Sequence, residues 1–228
     1  MPLTKDERDK QDSKDDKRSD YCWSLSLVSW VSFESFPNPG HAMSAGFIPK
    51  HGGYKKLLSY QKAEIVYDAT VHFCDRFIDK RSRTHDQMVQ AARSGKQNII
   101  EGSMASATSK ETEIKLTNVA RASLEELLAD YRDFLRVRGV QEWTKDHVYA
   151  RRLRALNTIP DAVYATFKKG VENPDPAISA NVIIGLIRVT SYLLDRQIRH
   201  LEQAFVKEGG LRERMTRARL EERGKSTS

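Results

Sequence analysis

Four long stretches of this chain repeat apolar residues every three to four positions, and no stretch reads as a run of β-strands. In "LLSYQKAEIVYDATVHFCDRFIDK", Leu58, Ile65, Val66, Ala69, Phe73 and Phe77 fall on one stripe. In "QMVQAARSGKQNIIEGS", Met88, Ala91, Ala92, Gly95, Ile99 and Gly102 share a broad face made largely of small residues. "ETEIKLTNVARASLEELLADYRDFLRVR" repeats Leu116, Ala120, Leu124, Leu127, Tyr131 and Phe134, and a fourth long helix is expected through "ANVIIGLIRVTSYLLDRQIRHLEQAFVKE". A helix with one apolar stripe is stable only when that stripe is buried against another element. The pattern therefore predicts an all-α fold, an up-down four-helix bundle with a short-helix insert before the last long helix and a basic helical tail.

Helix ends are written in the turn residues. Ser82 and Thr84 are both N-cap choices before the second helix, with Gln87 in a capping-box position after Thr84. Gly102 suits that helix's C-terminus, Thr108 or Ser109 can cap the third helix, and Gly139 reads as its stop. Residues 144–157 and 161–169 look like two shorter helices, the second opened by Pro160-Asp161. "GVENPDPAIS" is a break, and Gly209-Gly210 ends the last long helix. The resulting division is an extension over 1–42, a bundle over 43–208 with its insert at about 139–175, and a basic suffix over 209–228.

The small residues of the second helix imply a close neighbour. Ala91, Ala92, Gly95 and Ser94 keep that face shallow, with Ala120, Ala122 and Ser123 of the third helix as natural counterparts. Asn98 and Glu101 lie three apart and can share a face. Polar groups at a packed junction need partners, so the pair is expected to cap or hydrogen-bond the adjoining helix ends.

Residues 1–20 carry six Lys/Arg against seven Asp/Glu, as a disordered segment does. Residues 1–42 thus read as a disordered extension, with Met43 as an alternative start and a functional N-terminal arm as the other reading. The apolar stretch from Tyr21 to Phe33 is interrupted by serines and too short to span a bilayer, so no membrane is expected. Cys22 and Cys74 are far apart and read as reduced packing residues of a cytoplasmic protein.

Catalytic constellations are sparse. The six histidines make no metalloprotease spacing and no Glu-x-x-His unit, as di-metal bundles require. Glu64, Asp68, His72 and Asp75 share a helical face and could hold a metal, although an exposed polar face explains them as well. "KHGGYKK" lacks the spacing of a phosphate loop, and no Gly-x-Ser-x-Gly elbow occurs. The chain therefore reads as a non-enzyme without cofactor or metal.

Its charge is more telling. A net charge of +7 favours acidic partners, with nucleic acid first. Lys80, Arg81, Arg83 and His85 cluster at the first interhelical turn, and Arg132, Arg136 and Arg138 end the third helix. Arg151, Arg152 and Arg154 follow in the insert, and Arg188, Arg196 and Arg199 lie on the last long helix. Arg212 and Arg214 open a tail of six Lys/Arg and three Glu. Such positions could track RNA or DNA phosphates, with affinity falling as salt rises. Solvated helix faces are the default reading of such positions, since acidic residues interleave many of them.

Two segments together carry a resemblance. "DQMVQAARSGKQNIIEGS" and "LTNVARASLEELLADYRDFL" resemble the bacterial four-helix-bundle proteins encoded in intervening sequences of 23S ribosomal RNA genes. The first is matched by Ala91, Ala92, Ser94, Asn98, Ile99, Glu101 and Gly102, the second by Ala122, Ser123, Leu124, Glu126 and Leu127. The chain is similar also to the accessory variability proteins of diversity-generating retroelements. The likeness runs from about Tyr54 to Arg138 and resumes in the last long helix, whose ending resembles a subgroup with a C-terminal suffix. The insert and tail depart from the short members. The resemblance implies a homo-oligomer, commonly a pentameric ring, acting as an adaptor for nucleic acid or a partner protein, with no enzymatic activity.

Overall fold

The computed structural model describes residues 52–159 and 161–225. The expectations for residues 1–42, Met43, Cys22 and Pro160 fall outside the described residues. Those residues form seven α-helices and no strand: α1 (Leu58–Phe77), α2 (Arg83–Ala105), α3 (Lys110–Val137), α4 (Val148–Asn157), α5 (Tyr164–Val171), α6 (Pro176–Glu208) and α7 (Leu211–Lys225). They divide into two compact units, a small one of 143–162 and a larger one of 52–142 with 163–225.

In the larger unit the long helices close a ring: α1 packs on α2, α2 on α3, α3 on α6 and α6 on α1. α2 runs antiparallel to both α1 and α3. Lys96 lies over the Tyr67 ring while Met88 meets Cys74 further along α1. On the other side of α2, Gly95 faces Leu124 and Gly102 faces Glu113, Leu116 and Thr117. The apolar stripes supply the core, with Val66, Ala69, Phe73, Ala92, Leu124, Leu127 and Leu194 all fully buried. Phe73 is its centre, with ring centroids 5.0 Å from Tyr131 and 4.9 Å from Phe134. Tyr131 is buried whole, and its hydroxyl donates to Thr70 Oγ1 at 3.3 Å, as a buried phenol requires.

Of the two caps read before α2, Ser82 is the one used, accepting from the Thr84 amide, so Thr84 is already helical. Other helix ends depart from the sequence reading, and α4 begins at Val148 rather than at Thr144. Gly102 does not end α2, which continues to Ala105; it lies inside the helix where α3 passes, and a Cβ there would meet Leu116 Cβ and the Glu113 carbonyl at 3.4 Å. α5 begins at Tyr164 rather than at Asp161, whose φ of 54° takes it out of any right-handed helix. α6 begins at Pro176, four residues ahead of Ala180, because Asp175 accepts from the Ala177 amide at 2.8 Å and proline suits the first helical position. Ser109 caps α3 and Gly139, at φ 66°, follows its end as expected.

Only part of the expected insert falls in the smaller unit. α5 belongs to the larger unit, packing on α6 and α1 with Phe167 and Val171 buried. Leu58 also moves: it is 39% exposed, and Ser59 and Tyr60 take the inward positions of that turn. One apolar stretch, within Pro176–Gly224, is long enough to cross a membrane by composition, and 67% of it is buried inside the protein. That is the burial of a core helix, seen most plainly from Ser179 to Ile187, where every residue is buried.

Candidate nucleic-acid interface

The residues singled out in the sequence separate into a packing seam and a scattered basic set. At the seam, a Cβ on Gly95 would lie 2.7 Å from Leu124 Cδ2, and one on Gly102 3.4 Å from Leu116 Cβ. Ala91 and Ala92 are buried in the same face. Ser94 Oγ and Ser123 Oγ hydrogen-bond across the two helices at 2.9 Å. The Asn98 amide donates back to Ser94, to its carbonyl at 2.9 Å and its hydroxyl at 3.1 Å. Asn98 therefore does not cap an adjoining helix end, and Glu101 and Glu126 stand exposed. α2 runs on past Gly102 to Ala105, so the pair lies within the helix and not at its end. The seam holds α2 against α3 and leaves carboxylates facing water.

Among the described residues, buried ionisable groups are few. Lys62 is 7% exposed, its ammonium has no hydrogen-bond partner, and it sits 4.9 Å from the Phe167 ring centroid. Burial holds its pKa below the ordinary lysine value. Glu113 is raised by burial against the opposing pull of Lys110. Cys74 is a buried free thiol pushed up to about 12 by burial, an inert packing residue. Glu64 accepts from Tyr60, and Glu64, Asp68, His72 and Asp75 form no group that could hold a metal among the described residues.

Many of the basic positions are already compensated. Lys80 pairs with Asp75 at 3.2 Å, and His85 lies 3.6 Å from Asp75 and 3.5 Å from Asp86. Arg132 pairs with Glu142 at 3.1 Å and Arg136 with Asp133 at 2.8 Å. Arg138 stacks on Phe134, and Arg188 is drawn to Glu142. The first turn and the end of α3 thus present mixed charge rather than a basic groove. Arg81, Arg83, Arg151, Arg152 and Arg212 are exposed and form no ion pair with a carboxylate among the described residues. Arg214 is half-buried, with its Nε unpartnered. Arg154 is half-buried as well.

Segment 143–162 holds a feature that the sequence reading passed over. Trp143 and His147 stack with centroids 4.8 Å apart and planes 11° from parallel. Tyr149 leans on both, at 5.3 Å from Trp143 and 5.5 Å from His147. The Arg152 guanidinium lies 5.8 Å from the Tyr149 ring centroid. His147 also caps α4, its Nδ1 accepting from the Tyr149 amide at 3.3 Å. The signal was legible: three rings within seven residues, followed after Ala150 by Arg151 and Arg152. No model of a known protein family, no characterised protein and no solved structure matches the chain.

Proposed function

We propose that this chain is a non-enzymatic, cytoplasmic scaffold or adaptor: an up-down four-helix bundle with a short-helix insert and a basic tail, which self-associates and binds RNA or DNA. Membership of the intervening-sequence family is part of the proposal. It is supported by the motif residues Ala91, Ala92, Ser94, Gly102 and Ser123, which fall together at one helix–helix seam. The pentamer is the assembly that the resemblance implies.

One observation carries the nucleic-acid clause. The basic residues that lack carboxylate partners recur where the local charge is in surplus. Residues 143–162 hold four Lys/Arg against two Asp, and residues 211–225 hold six against three Glu. Unpaired guanidinium groups can neutralise phosphates without first giving up an acid, and release counterions as they do so. Size-exclusion chromatography with light scattering, before and after nuclease treatment, reads the assembly state and any bound nucleic acid together. A salt titration with labelled RNA and DNA should give log affinity falling linearly with log salt concentration. Absence of binding at low ionic strength removes the clause.

A second reading has its own support. Phe205, Val206, Met215 and Leu220 are apolar and exposed around the junction of α6 and α7, Val206 to 83%. Such residues suit a protein partner or a second copy of the chain. A partner that co-purifies after nuclease treatment would favour this reading.

A further inference from the structure

We infer that the Trp143–His147–Tyr149 ring cluster, with Arg151 and Arg152, is a stacking site for unpaired bases of a single-stranded nucleic acid. This rests on the nucleic-acid reading above and adds to it the strand class and the residues.

The rings already stack on one another, so an aromatic surface is preformed rather than assembled on binding. Tyr149 is its open side, 43% exposed on the first turn of α4. Arg152 stands three residues on, over the same ring, and the preceding residue, Arg151, is exposed. Asp146 and Asp161 are the carboxylates of the segment, and neither pairs with these arginines. A π surface next to an unneutralised guanidinium, with a second exposed arginine adjoining it in sequence, matches a nucleotide, whose base offers a flat face and whose phosphate lies a few bonds away. A duplex cannot use it, because its base faces are covered by their neighbours in the stack. Pinning the start of α4 accounts for Trp143 and His147, through the cap on Tyr149's amide. It leaves the exposed Tyr149 ring and the unpaired arginines without a role.

The test uses the full chain and fluorescence anisotropy with labelled oligo(dT), oligo(U) and a duplex at low salt. Both single strands should bind more tightly than the duplex. Tyr149→Ala should weaken single-strand binding roughly tenfold or more, while Tyr149→Phe keeps it. Tyr149→Leu, which preserves apolar bulk but has no π face, should behave like the alanine variant. Oligo(dT) should also quench tryptophan emission, and Trp143→Phe should lose that quenching. Equal affinity for duplex and single strand overturns the inference. So does single-strand binding that Tyr149→Leu leaves unchanged, and in either case the broader nucleic-acid reading survives. Failure of the wild-type chain to bind any of the three removes that reading and this one with it.

Discussion

A Cβ placed on Gly95 would lie 2.7 Å from Leu124 Cδ2 and 3.0 Å from its Cγ, and Leu124 is itself fully buried. Gly95→Ala therefore sets a helix-propensity gain of about 1 kcal/mol against overpacking of about 1–3 kcal/mol. A net loss of about 1 kcal/mol is expected in urea denaturation; a gain would show that Leu124 yields freely. Lys62 is the opposite case, a residue whose removal should help. Its buried ammonium has no hydrogen-bond partner, so Lys62→Met should stabilise the chain by about 1–3 kcal/mol. The pH dependence has a definite sign. The folded pKa is depressed, so at alkaline pH below the ordinary lysine value of about 10.4 the unfolded chain holds more protons and this group's contribution rises with pH. Lys62→Met should lose that rise when urea midpoints are compared between neutral pH and pH about 10. Gly95 was legible as a small residue on an apolar face. Lys62 was not, because a lysine side chain reads as solvated until α5 is seen to bring Phe167 against it.

At the scale of elements, caps and seams decide where helices stop and how closely they lie. Asp175→Ala removes the acceptor for the Ala177 amide and should cost about 1 kcal/mol, read as a lower melting temperature. The proline beside it looked like a breaker in the sequence. The same residue is a good first residue of a helix, and the aspartate before it settles which role it takes. Asn98→Leu breaks the chain of hydrogen bonds from Asn98 to Ser94 to Ser123 and should cost about 1 kcal/mol. A double-mutant cycle with Ser123→Ala should show a coupling above about 0.5 kcal/mol, and strictly additive effects would separate the asparagine from the seam. That α2 and α3 would meet through small residues was readable in the sequence. That Asn98 would turn back on its own helix was not, since the alternative partners lay on helix ends whose positions depend on how far α2 extends.

For the whole molecule, charge placement matters more than its total. The net charge of +7 suggested basic faces throughout, yet the ring of long helices compensates much of its own charge through pairs such as Lys80–Asp75 and Arg132–Glu142. Arg151→Gln with Arg152→Gln should reduce the magnitude of the salt slope for nucleic-acid binding by about 1–2. Arg132→Gln with Arg136→Gln should change it less, because those side chains must leave Glu142 and Asp133 before they can serve a phosphate. The reverse order, measured in the same titration, would return the interface to the end of α3. Surface pairs of this kind contribute little to stability, so both double variants should keep their melting temperatures within a few degrees.

The sequence by itself determined that the chain is all-α, where its long helices run, and that α2 offers a face of small residues. Those are properties of periodicity and side-chain volume, which act locally and are written in order along the chain. Only the tertiary structure decided which basic residues stay unpaired, that Gly102 is a contact and not a terminus, that Lys62 is buried, and that three rings of the 143–162 segment stack together. Each of these depends on groups distant in sequence or on the direction a side chain takes, and periodicity carries neither.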